Sequence, residues 1–126
     1  TMGASAIHFA SVLENPEILQ ILLSHSKVNP NAKCTDMEET ALHLACDRGN
    51  LENVDLLLAH PIIDPNCENT AELNAFANAC VRGNILLVKM LLDHPKMGEG
   101  IIGQTGEILA QLYYYCVEGE IISLLL

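Results

Sequence analysis

Two arrangements of histidine and cysteine in this chain have the spacing for chemistry. His43 and Cys46 stand three residues apart, the separation at which side chains on one helix face meet. A thiolate paired with that imidazole would be a nucleophile if a third group oriented the ring and donors awaited the oxyanion. No third group and no strained nucleophile turn is visible in the sequence, so no catalytic residue is assigned. His25, His60 and His94 form a second, evenly spaced series. A shared metal ion conflicts with geometry. Packed helices lie about 8–10 Å apart, whereas nitrogens sharing one zinc must each lie about 2 Å from it. Hydrogen-bonding or cationic side chains suit the ends of helices, which is the simpler reading.

The remaining reactive residues are equally plain. Five cysteines make an odd set without a Cys-x-x-Cys pair, so neither a disulfide framework nor a zinc ribbon is indicated. Cys46, Cys80 and Cys116 share one repeating slot and read as small buried hydrophobes. Cys34 and Cys67 fall on loops, where exposure is expected. The segment Gly98 to Gly106 is glycine-rich, but no Gly-Lys-Ser/Thr follows it, so it is not a phosphate loop. It reads as an extended loop between repeats. Tyr113, Tyr114 and Tyr115 follow, and at helical pitch at least one must face outward. No cofactor and no metal is expected.

The elements that would carry these residues recur. Thr40-Ala41-Leu42-His43-Leu44-Ala45-Cys46-Asp47-Arg48-Gly49-Asn50 returns in altered form from Ser5 and again from Asn74. Leu19, Leu22 and Leu23 correspond to Val54, Leu57 and Leu58, then to Val88, Leu91 and Leu92. Pro30-Asn31 corresponds to Pro65-Asn66. Self-similarity at this period marks a repeat array. Ser5, Thr40 and Asn74 differ in identity, yet each is a preferred helix N-cap. Gly49 and Gly83 suit the left-handed position after a helix. Asn15, Asn50 and Asn84 then cap a second helix, with Pro16 at a first helical position where its missing N–H is harmless. Val54, Leu57 and Leu58 give that helix one apolar stripe. Such a pair cannot bury its own apolar face, so neighbours must stack on it.

These residues resemble the ankyrin-repeat family, whose units carry Thr-Pro-Leu-His-x-Ala, a Gly-Asn pair, a Leu-Leu helix and an Asp-x-Asn hairpin. Residues 40–66 match best, with Ala41 in place of proline; the third unit has Ala77 in place of the histidine. A fourth, divergent unit aligns Cys116 to Glu120 with Cys80 to Asn84. The resemblance implies an all-α solenoid of helix-turn-helix pairs joined by hairpin-like loops. It forms a single domain over 1–126, with approximate repeats 1–31, 32–66, 67–97 and 98–126, the last truncated. It also implies that His8 and His43 hydrogen-bond locally and brace adjacent repeats. Glu38 and Glu72 occupy hairpin slots where the family usually has glycine. Asn31 and Asn66 resemble ankyrin asparagines that a cytosolic oxygenase hydroxylates, although a hairpin turn accounts for them more simply. Residues 120–126 match the start of a second helix and leave three leucines at a poor cap; a fragment, or a chain covered there by more protein, is expected.

Composition narrows the function. With 16 acidic against 6 basic residues the formal charge is −10, which disfavours nucleic acid and anionic membrane surfaces as partners. No apolar run approaches the roughly 18 residues of a membrane span. A cytoplasmic or nuclear location is expected from the free cysteines. The expected function is non-catalytic: a module that binds a protein or peptide, of basic character, on its concave face. The alternative is a regulatory or targeting segment of a larger protein. A monomer is expected unless another chain caps its C-terminal end. By resemblance, recognition falls on the hairpin tips and the outward sides of the first helices. On the hairpins these are Thr35, Asp36, Met37, Glu39, Thr70, Ala71 and Leu73. On the helices they are Val12, Leu13, Asp47, Arg48, Val81, Arg82, Val117 and Glu118.

Overall fold

The computed structural model describes residues 6–34 and 37–97. Among these described residues six helices follow one another: α1 Ala6–Ser11, α2 Glu17–Leu23, α3 Ala41–Arg48, α4 Leu51–Leu58, α5 Ala75–Arg82 and α6 Ile85–Leu92. The last five start where a side chain captures an orphan backbone N–H. Thr40 Oγ1 accepts from His43 N–H at 3.3 Å, Asn50 Oδ1 from Asn53 at 3.1 Å, Asn74 Oδ1 from Ala77 at 2.9 Å and Asn84 Oδ1 from Leu87 at 3.2 Å. Asn15 serves α2, its Oδ1 accepting from Glu17 N–H at 2.9 Å. Pro16 is already helical in its dihedrals, and its carbonyl accepts from Gln20 N–H. The expected cap Ser5 lies outside the described residues. Helices α3 and α5 stop at Gly49 and Gly83, whose φ values of 69° and 71° suit a residue without a Cβ.

The apolar stripes meet as their spacing predicts. Leu19, Val54 and Val88 are fully buried, as are Leu57 and Leu91. Ala41, Ala45 and Cys46 on α3 are buried, as are Ala75, Ala79 and Cys80 on α5. The helices pack within each pair (α1 on α2, α3 on α4, α5 on α6) and onto the next pair (α1 on α3, α3 on α5, α2 on α4, α4 on α6). This nearest-neighbour pattern is a stacked array. Burying each leucine contributes about 1.5–3 kcal/mol.

Two ladders of side-chain hydrogen bonds order the turns after the second helices. Nδ1 of His25, His60 and His94 accepts the backbone N–H two residues on, from Lys27, Ile62 and Lys96 at 3.2, 3.3 and 3.2 Å. Asn31 Nδ2 donates to the Ile62 carbonyl at 2.9 Å, and Asn66 Nδ2 donates to that of Lys96 at 2.8 Å. The histidine series is thus a repeated turn device. Among the described residues no group of side chains could hold a metal ion.

The hairpins close without strands among the described residues. Cys34 N–H donates to the Glu39 carbonyl at 2.9 Å, and Asn69 N–H to that of Leu73 at 3.0 Å. Glu38 and Glu72 adopt φ of 53° and 62°. The turn keeps the left-handed geometry that glycine would favour, with a side chain in that place.

Candidate interaction surface

His43 sits on α3 with both ring nitrogens engaged. Nδ1 accepts from Thr40 N–H at 3.1 Å and lies 2.9 Å from Thr40 Oγ1. Nε2 lies 2.9 Å from the Leu73 carbonyl of the next repeat, to which it donates. Cys46, one turn away, is buried, and burial with the nearby Asp47 charge pushes its thiol up to about 12. A thiol in that state is inert as a nucleophile, and the ring has no free nitrogen to activate it. His8 makes the corresponding brace to a different carbonyl, that of Ala32, at 2.8 Å. In the third unit Ala77 keeps the cap but cannot make the brace.

The residues singled out for recognition fall into three groups. Leu13, Met37, Arg48, Thr70, Ala71 and Arg82 are exposed, on hairpin tips or at the ends of first helices. Val12, Glu39, Asp47 and Leu73 are half-buried, and Leu73 packs against the core. Its backbone closes the hairpin, and its half-buried side chain is shared between the surface and the packing. Val81 lies on α5. Thr35, Asp36, Val117 and Glu118 lie outside the described residues, as do the 98–106 loop, the three tyrosines and the fourth unit. Adjacent hairpin tips are joined, Thr70 N–H donating to the Met37 carbonyl at 3.0 Å. Cys34 and Cys67 are half-buried rather than exposed, and burial and the Asp64 charge raise the Cys67 thiol.

The charges on this surface are coupled across repeats. Arg82 Nε donates to Asp47 Oδ1 at 3.1 Å, an exposed pair of about 0–1 kcal/mol. Arg48 holds the same slot one repeat earlier, where the residue in register with Asp47 is Val12 in place of an acid. The two arginines, alike in the sequence, therefore differ: among the described residues only Arg82 is ion-paired. Burial, then the Asp47 charge, raises the Glu39 pKa against the pull of Asn69 and Arg82.

Several contacts were not foreseen in the sequence. Asn53 occupies a slot held by Ile18 and Leu87 elsewhere, and is fully buried. Its Nδ2 donates to the Ser11 and Leu13 carbonyls at 3.0 and 2.8 Å. Asn50 Nδ2 adds a bond to the same Leu13 carbonyl at 3.1 Å. Asn69 Oδ1 accepts the Ala71 and Leu73 N–H groups at 2.9 and 3.1 Å and shapes the hairpin. A polar residue in an apolar slot was the one available signal, and it marked Asn53 alone.

Capped helix pairs stacked through leucine stripes, with histidine braces and left-handed turns, define a helical repeat array. Residues 1–69 match the family model described as ankyrin repeats (3 copies); that is more than half of the sequence, and the chain belongs to the ankyrin-repeat family. Ankyrin repeats are generally non-catalytic modules for protein–protein interaction. No match was found among curated proteins. No helix among the described residues is long and apolar enough to cross a membrane.

Proposed function

We propose that the chain is a protein-interaction module that engages an extended segment of a basic partner along its hairpin tips and first-helix ends. The observation that carries this reading is the exposed strip of Leu13, Met37, Arg48, Thr70 and Ala71. Its apolar members stand in solvent-facing slots, where burial against a partner is favourable. A chain with net charge −10 favours basic ligands and disfavours nucleic acid. An odd set of five cysteines without a Cys-x-x-Cys pair fits a reducing compartment, the cytoplasm or nucleus, and the same strip would serve if this array targets or regulates a larger protein.

The test is selection of binding peptides from a displayed library, followed by calorimetry on variants. Leu13→Asn and Met37→Asn should each weaken binding about tenfold or more, while Asp55→Lys, in a groove between the second helices, should not. Loss at Asp55 with full affinity in the other two variants would move the site to the second-helix side.

A further inference from the structure

We infer that the face of the first helix pair turned away from the second is one half of a repeat–repeat interface, and that its occupant is a further ankyrin-type helix pair stacked in register. The array supplies its own comparison. On α2, Leu19 is as fully buried as its equivalents Val54 and Val88, so α2 packs normally within its own repeat. The neighbouring positions behave otherwise. Ile18 is 50 % exposed, whereas the equivalent Asn53 and Leu87 are both at 0 %. Ile21 is 68 % exposed and Phe9 64 %, while their equivalents Leu56 and Met90, and Leu44 and Asn78, are half-buried. Ala6 is exposed where Ala41 and Ala75 are buried.

In the inner repeats another helix pair lies against the helices that carry these slots. It is the preceding helix pair: α1 packs on α3 and α2 on α4, then α3 on α5 and α4 on α6. The covering pair also offers polar contacts at the end of its first helix. Asn50 and Asn53 both donate to the Leu13 carbonyl. Asn15 holds that cap slot in the first pair and is exposed. The open face therefore has an apolar patch of Phe9, Ile18 and Ile21, beside an amide placed for a helix-end carbonyl. A helix pair of this fold presents both features together. An anionic lipid surface would meet the exposed carboxylates of Glu14 and Glu17 at the rim. A second copy would bring together two chains of formal charge −10.

The experiment joins a consensus ankyrin helix pair, in register, upstream of the full chain and follows unfolding by heat. The fusion should unfold in one transition, with a midpoint raised by roughly 5 °C or more over the unfused chain. Hydrogen exchange in α2 should slow. Ile18→Glu with Ile21→Glu should abolish the shift in the fusion yet leave the unfused chain within a few degrees of the parent, because exposed positions tolerate change. Two separate transitions with no shift would overturn the inference. So would self-association of the unfused chain that this double variant abolishes, since the occupant would then be a second copy. A lost peptide affinity at Leu13 or Met37 concerns the other surface and leaves this test unaffected.

Discussion

His43 joins two repeats through a single ring: Nδ1 accepts the Thr40 N–H at 3.1 Å, and Nε2 donates to the Leu73 carbonyl at 2.9 Å. The first bond belongs to the N-cap of α3, and the second holds the residue just before the cap of α5. This places the proton on Nε2 and requires Nδ1 bare, because a second ring proton would face the Thr40 donor. Burial is the largest influence on the ring and lowers its pKa below 6.5.

That lowered pKa makes stability depend on pH. The unfolded histidine takes up a proton near 6.5 while the folded ring resists it. The contribution is therefore fully present above pH 6.5 and declines as pH falls through 6.5 toward the folded value. Urea midpoints should drop between pH 7.5 and 5.5, and His43→Gln should flatten that part of the slope. An unchanged slope in the variant would remove His43 as the source.

The repeat register can be weighed by two substitutions. Thr40→Ala loses one helix cap and should cost about 1 kcal/mol. Leu57→Ala opens a cavity at a fully buried site and should cost about 2–5 kcal/mol. Chemical denaturation measures both, and equal losses would contradict the register.

Asn53→Ala should destabilise the chain by about 1–3 kcal/mol, since the Ser11 and Leu13 carbonyls lose a buried donor. The loss should appear as faster hydrogen exchange in α1 and α2 before α5 and α6. Uniform exchange would show that Asn53 does not join the first repeat to the second.

Glu38→Gly and Glu72→Gly should each stabilise. A side chain in the left-handed region costs about 1–2 kcal/mol, and glycine gives back about 0.5–1 kcal/mol through its freer unfolded chain. A net gain of about 0.5–1 kcal/mol per site should raise the urea midpoint. A loss at either site would mean that the glutamate contributes a contact worth more than the strain.

Capping chemistry and the spacing of leucines are local properties, so Thr40, Asn50, Asn74 and Asn84 announced their helices before any packing was known. The same holds for Gly49 and Gly83, because left-handed backbone discriminates residue types without help from neighbours. The histidine series shows the boundary of that legibility. Its period was evident, but its purpose, a bond to the N–H two residues on, depended on the turn that the chain takes after each second helix. Arg48 and Arg82 occupied one slot and looked equivalent. Only stacking, which sets Asp47 beside Arg82, made them different. Leu73 was legible as a hairpin residue, but that its side chain is half-buried against the core depended on packing. Ile18, Asn53 and Leu87 share a single periodic position, and which of them is buried was settled by whether another helix pair lies against it. Hydrogen bonds within a few residues can be read along a chain; burial between repeats exists only after surfaces distant in sequence have met.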